Sequence, residues 1–313
     1  MVHLIKILAD TAPLIHRVPT AGGILKRVKY CLRGLAYPRC TKEWFDLLQT
    51  PELAVIVNNH PCLFHKIQRP YLNRSLNTHQ RVEALRQHYG FVAAHFPPRL
   101  MREIYTTPGL LLATIRTAEI GCFDVRLGFS DKQKEGDLSI GLSDQKSGAE
   151  LFTLSFSFSK YQAGHKEIFI GGLQGHTLAG KELVVSITRH LHGLRPKALL
   201  VFVLQQLAVH WGISQLRAVS NSQHIYRHFQ KRRKFRASYD EFWIECGGRL
   251  AEDGMFDLPV AFVPREISTI RANKRQMYRR RYAMLSAIAE QIRSRMIRSE
   301  SEPAAFALQS CRC

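Results

Sequence analysis

Leu151-Phe-Thr-Leu-Ser-Phe-Ser-Phe158 sets Phe152, Leu154, Phe156 and Phe158 on one side and Thr153, Ser155 and Ser157 on the other, and Glu167-Ile-Phe-Ile-Gly-Gly-Leu173 follows in the same style. Alternation at period two is what a strand with a buried face produces. Upstream, Phe123-Asp-Val-Arg-Leu-Gly-Phe129 and Asp137-Leu-Ser-Ile-Gly-Leu142 repeat it. The connections Asp131-Lys-Gln-Lys-Glu-Gly136, Ser143-Asp-Gln-Lys-Ser-Gly148 and Tyr161-Gln-Ala-Gly-His165 are short, polar and glycine-containing, which predicts hairpins and an antiparallel meander. Small Ser and Gly residues on the second face predict a neighbour packed closely there. Downstream the period changes. Gly193-Leu-Arg-Pro196 places proline at a helix start, and Ala198-Leu-Leu-Val-Phe-Val-Leu-Gln-Gln-Leu-Ala-Val-His-Trp211 is apolar nearly all round before Gly212. Such a helix must lie buried on a sheet, and residues 213–219 read as the next strand, which makes a β-α-β crossover in a mixed sheet. Ligands in open α/β sheets sit at such switch points, so 193–197 and 220–226 become candidate site segments on topology.

Outward from this centre, residues 1–120 read as mainly helical, with helices over 42–48, 78–89 and 98–106. Val82, Leu85 and Tyr89 share a face of the second, which leaves His79 and His88 as surface residues. The fold class predicted is α+β. A helical N-terminal region (1–120) precedes the mixed sheet with its helices (121–270), a basic amphipathic helix (271–300) and a disordered tail (301–313).

The chain of 313 residues is 45% hydrophobic and 22% charged, which excludes long-range disorder and fibrous classes. Its 45 Lys+Arg against 25 Asp+Glu leave +20, the mark of a polyanionic partner: a phosphate-bearing small molecule, an anionic lipid surface or nucleic acid. Seven cysteines, odd in number and scattered, read as reduced thiols with no metal site. No secretory signal and no apolar window of membrane-spanning length is present, so the expected location is cytoplasmic, with peripheral contact to the inner membrane as the alternative. Nothing in the sequence signals an oligomeric state.

Six ordered segments carry a family signature: Gly171-Gly-Leu-Gln-Gly175, His192-Gly-Leu-Arg-Pro-Lys-Ala-Leu-Leu200, Ala218-Val-Ser-Asn-Ser-Gln-His-Ile-Tyr226, Ser238-Tyr-Asp-Glu-Phe-Trp243 with Gly247-Gly248, Asp257-Leu-Pro259 and Asn273-Lys-Arg-Gln-Met-Tyr-Arg-Arg-Arg-Tyr282.

 They resemble the VirK/YbjX family over roughly residues 30–290. The resemblance implies a bacterial protein linked to virulence, envelope integrity and tolerance of host antimicrobial peptides, and it implies no particular reaction. A second resemblance is to the GNAT acyltransferase fold. There an antiparallel run leads through a glycine-rich turn to a helix whose first amides hold the coenzyme A pyrophosphate, then to a strand and an Asn-containing turn. The order 167–173, 193–197, helix, 213–219 and Asn221 is similar, although residues 174–180 and a helix over 182–192 intervene. This likeness implies acyl-CoA as the phosphate-bearing ligand, with no metal.

The candidate cofactor-binding residues are therefore Gln174, Gly175, Gly193, Arg195 and Lys197, the last two beside the positive end of a helix. The competing reading of 193–197 is a plain helix start with solvated cations. Asn221, His224, Tyr226, Tyr239 and Asp240 are the candidate catalytic residues, since a carboxylate or imidazole base with a tyrosine acid suffices for acyl transfer. Against this, Ser238 and Glu241 make a capping box and Phe242 and Trp243 core positions. Hydrolase elbows, zinc-protease helices and phosphate-binding loops are absent. Two basic runs, 227–236 and 271–298, hold +14 of the +20. From them Arg232, Arg233, Lys234, Lys274, Arg275, Arg279, Arg280 and Arg281 form a candidate anion-binding surface. In the second run Met277, Leu285, Ile288, Ile292 and Met296 repeat at helical spacing, as a stripe docked on the protein rather than in lipid would. Nucleic acid ranks third as partner, because no nucleic-acid motif accompanies the charge.

Overall fold

The computed structural model describes residues 2–16, 20–117, 119–162, 165–176, 180–227 and 239–301. Its strands are β1 (Leu110–Thr117), β2 (Gly121–Phe129), β3 (Leu138–Asp144), β4 (Glu150–Gln162), β5 (His165–Gly175), β6 (Gln215–Ala218), β7 (Arg249–Leu250) and β8 (Phe256–Leu258). They form one sheet in the order β1-β2-β3-β4-β5-β6-β8-β7. Every neighbouring pair is antiparallel except β5 and β6, which run parallel from Glu167↔Gln215 to Ile170↔Ala218. The meander and the single crossover are thus as the residue pattern indicates.

The helices are α1 (Val2–Ile15), α2 (Ala21–Ala36), α3 (Pro38–Leu48), α4 (Ala54–Asn59), α5 (Thr78–His95), α6 (Pro98–Tyr105), α7 (Lys181–His190), α8 (Pro196–His210), α9 (Tyr239–Glu245) and α10 (Ala272–Ser301). A 3₁₀ stretch, Pro61–Gln68, follows α4. Asn77 and Gln80 close a reciprocal capping box at the start of α5, satisfying two amides that the first turn leaves open. Pro196 opens α8, which has no polar face and packs on β3, β4 and β5. α5 covers β4, and α10 runs along β1 and α8. One apolar core extends from Leu4 to Met296 through both the helical region and the sheet.

Three expectations need correction. β1 lies inside the region expected to be helical. Its run Leu110-Leu-Leu-Ala113 has no alternation because a bulge between Leu111 and Ala113 puts two buried residues in succession, and periodicity alone cannot separate such a short apolar run from a buried helix. His88 is fully buried, not on the surface: its ring stacks on Phe158, and its Nδ1 accepts the Phe158 amide at 3.2 Å. Met277 is only half-buried, whereas Leu285, Ile288, Ile292 and Met296 do form the docked stripe of α10. Residues 302–313 of the expected tail and the segment 228–238, with Arg232, Arg233, Lys234 and Ser238, lie outside the described residues, while Ser301 closes α10.

A buried polar knot joins the two regions. Asp137, at the mouth of β3, pairs with Lys66 of the 3₁₀ stretch and accepts from the Tyr71 hydroxyl and, at 2.7 Å, from the Tyr89 hydroxyl. Its own amide donates to Ser157 Oγ at 2.9 Å. Burial pushes the Asp137 carboxyl up, but Lys66, His88 and the hydroxyl donors outweigh it and hold the group below the usual carboxylate range.

Candidate functional site

Beyond Ile170 and Ala218 the parallel pair opens. β5 continues against β4 to Gly175, while the chain after Val219 turns away through residues 220–223. Two side chains of α9 close the opening. The Tyr239 hydroxyl accepts the Leu173 amide at 3.1 Å, and Trp243 Nε1 donates to the Val219 carbonyl at 2.9 Å. Buried backbone groups must find such partners wherever a ladder ends. Asn221 and α9 hold each other: the Tyr239 amide donates to Asn221 Oδ1 at 2.8 Å, and the Asn221 amide donates to Asp240 Oδ1 at 2.7 Å. His224 stacks on Tyr239 at 5.1 Å and lies 5.7 Å from the half-buried Tyr226. All five candidate catalytic residues therefore gather at the switch point.

The residue sequence reasoning missed is Glu135. Its loop folds over β5 rather than forming an exposed hairpin tip, and Gly171 and Gly172 are what allow it. A Cβ at Gly171 would overlap the Glu135 carbonyl oxygen, and one at Gly172 would overlap its carboxylate. The carboxylate stands 3.6 Å from His224 Nε2 and accepts from Gln174 Nε2 at 3.3 Å. Burial pushes Glu135 up to about 7, with Lys132 opposing, and burial pushes His224 down to about 4. Near neutrality the pair thus offers a carboxyl poised to give or take a proton beside a neutral imidazole, the kind of separation that assigns acid and base roles. Burial likewise raises Tyr226, with Glu135 adding to it. The signal available in the sequence was the Gly171-Gly172 pair, which marks a close backbone approach.

Gln174 belongs to this cluster, and Gly175 ends β5 against Phe152. Gly193, Arg195 and Lys197 lie elsewhere. Arg195 pairs with Glu245 at the far end of α9, about 9 Å from Tyr239 along the helix axis. Gly193 has a φ of 76° in the turn after α7, and its amide donates to the Thr188 carbonyl at 2.8 Å. Lys197 is half-buried and held below its ordinary value by burial and by Arg195. The residues still fit a phosphate. α8 begins with no side-chain cap, so its first amides remain available, and the Arg195–Glu245 pair is exposed, a type worth about 0–1 kcal/mol and readily exchanged.

On α10, Lys274, Arg279 and Arg280 are exposed. Arg281 instead donates twice to the His192 carbonyl, at 3.0 and 2.8 Å, and Arg275 donates to the carbonyls of Ile270 and Ser268. Among the described residues no group of His, Cys, Asp and Glu is placed to hold a metal, and no helix is long and apolar enough to cross a membrane.

The family model described as "Protein of unknown function (DUF535)" matches residues 21–294. The chain belongs to this family. It is 35% identical to the "Uncharacterized protein YbjX" of Escherichia coli over 272 residues, 85% of this chain and 82% of that protein. An uncharacterized protein of Haemophilus influenzae is 28% identical over 87% of this chain and 89% of its own length. A "Membrane protein LapB" of Mannheimia haemolytica is 25% identical over 61% of this chain and 81% of its own. Among solved structures, a cAMP-binding acyltransferase from Mycobacterium smegmatis aligns with a TM-score of 0.32 and 10% identity, covering 73% of this chain and 64% of that one.

Proposed function

We propose that the protein is an acyltransferase of GNAT-like topology that takes a phosphate-bearing donor of the acyl-CoA class. The observation that carries this reading is the gathering of Asn221, His224, Tyr226, Tyr239 and Asp240 with the buried Glu135 at the switch point of the sheet. Such a donor supplies an activated acyl group. This chain's residues do the rest: the α8 amides with Arg195 and Lys197 bind phosphate, Tyr239 and Asn221 fix the turn, and Glu135 beside His224 holds the proton that an attacking amine or hydroxyl must lose. Tyr239 and Trp243 fill the opening between β5 and β6, so the reacting group approaches from the side of Tyr226. The test is thermal unfolding with acetyl-CoA, long-chain acyl-CoA, free CoA and nucleotides. A ligand that binds only the native state raises the midpoint by mass action. A rise confined to CoA species, lost in Arg195→Ala with Lys197→Ala, supports the reading; a cooperative transition that none of them moves refutes it.

A second reading rests on α2. Ile24, Leu25, Val28 and Leu32 are all exposed there, interleaved with Lys26, Arg27, Lys29 and Arg33 and no acid. We propose on this basis a cytoplasmic protein that rests on anionic lipid of the inner membrane, with the basic part of α10 as a further contact; the envelope role implied by the family resemblance belongs to this reading.

A further inference from the structure

A second concavity lies away from the α8 start, between the N-terminal helices and the loop that carries Glu135. It encloses about 590 Å³. Its walls come from the end of α1, from the 3₁₀ stretch with Arg69, and from residues 131–134, with Tyr226 as the wall shared with the switch point. Five Lys and Arg side chains line it, Lys26, Lys66, Arg69, Lys132 and Lys134, against the single carboxylate of Asp131. Lys66 is spent on Asp137 and Lys134 lies over the Tyr226 ring, and Lys26, Arg69 and Lys132 still outnumber the one carboxylate.

His65 sits in this wall. It is 7% exposed, and neither ring nitrogen has a hydrogen-bond partner among the described residues. Burial pushes its imidazole down to about 4, with Arg69 adding to the depression and the Cys62 backbone, short of hydrogen-bond geometry, opposing it. His16, 6.1 Å away ring to ring, is depressed too, by burial and then by Lys26, Arg69 and Arg27. The cations here outnumber the one carboxylate of Asp131, and a buried polar nitrogen without a partner costs free energy that a ligand atom would return. A neutral imidazole has one N–H to give, and what it needs is an acceptor that also carries charge.

We propose that this cavity binds a phosphate-bearing small molecule, the phosphate lying between Arg69 and Lys132 and accepting from His65. A lone carboxylate carries one charge and does not offset the excess that Asp131 leaves, whereas a phosphate monoester or diphosphate carries about two or three and offers several acceptor oxygens. The site is independent of the acyl donor: it shares no cation with the α8 start, and it stands or falls without any turnover.

The test uses the full chain and inorganic pyrophosphate, by titration calorimetry at constant ionic strength, with citrate as a non-phosphate polyanion. Saturable one-to-one binding is expected, weakened at least tenfold by Arg69→Ala with Lys132→Ala. Arg69 is exposed and Lys132 half-exposed, so the double variant keeps its fold. His65→Leu separates ligand binding from structure: it removes the imidazole but preserves apolar bulk, so affinity falls while the unfolding midpoint holds or rises. Absence of saturable heat, equal affinity for citrate, or undiminished binding in the double variant overturns the proposal. So does binding seen with phosphatidic acid vesicles and not with pyrophosphate, since the ligand would then be a lipid headgroup.

Discussion

Glu135 stands in a segment, Asp131-Lys-Gln-Lys-Glu-Gly136, whose composition is that of a solvated hairpin tip, yet the residue is almost wholly buried. Local composition describes the loop's neighbours correctly, since Asp131 is exposed and Lys132 to Lys134 are half-exposed; only the last side chain turns inward. That turn depends on partners about forty residues away, at Gly171 and Gly172, which no local reading reaches. The consequence is measurable. A carboxyl raised to about 7 in the folded chain binds more protons than its unfolded counterpart between its ordinary value of 4.5 and 7. The folded state therefore loses stability as pH rises through that window, and the loss is complete above it. Glu135→Gln removes the loss. The variant should match the wild type near pH 4.5 and exceed it at pH 8 by up to about 3 kcal/mol. Urea unfolding at the two pH values checks this, and equal stability at pH 8 would mean that Glu135 is not held neutral by burial.

At the scale of elements, the helical region and the sheet meet at Lys66 and Asp137, the knot that also takes the Tyr71 and Tyr89 hydroxyls. Breaking such a pair from one side leaves a buried charge alone and costs about 3–5 kcal/mol, while replacing both partners is far cheaper. Lys66→Met should accordingly lower stability by that amount in denaturant melts, and Asp137→Asn added to it should recover a good part. No recovery in the double variant would assign the loss to packing instead of charge. The knot also shows where sequence reading stops. Period-two runs gave away β2 to β5, and the apolar helix with its following strand gave away the crossover, because each pattern is local. β1 hid because its bulge between Leu111 and Ala113 breaks the alternation. Lys66, Asp137 and His88 hid because each is a polar residue whose partner lies 70 or so positions away. That Asn221, His224, Tyr226, Tyr239 and Asp240 would meet was legible from the switch point, whereas the separation of Arg195 from Tyr239 by the length of α9 was not.

For the molecule as a whole, +20 on 313 residues has to be set against where the charge is exposed. Among the outward cations of α10, Lys274, Arg279 and Arg280 stand together on a helix whose apolar stripe is already docked, so this part of it offers charge with little apolar area. On α2 the cations alternate with outward-facing Ile24, Leu25, Val28 and Leu32, so that face offers charge and apolar area together. A bilayer rewards both, and the apolar part survives screening while the charge part does not. If the protein rests on anionic lipid through α2, binding to phosphatidylglycerol vesicles should weaken as salt is raised to ~0.15 M but level off above zero. Leu25→Ser with Val28→Ser, at exposed positions where the fold loses little, should weaken vesicle binding by roughly tenfold or more at every salt concentration, since each side chain withdrawn from the bilayer gives up about 1.5–3 kcal/mol at most. Substituting Lys274, Arg279 and Arg280 with alanine should instead flatten the salt response and leave the residual binding in place. Cosedimentation distinguishes the faces: a serine variant that binds as the wild type does, together with binding that vanishes in salt, would take the lipid contact away from α2 and leave it to the charge on α10.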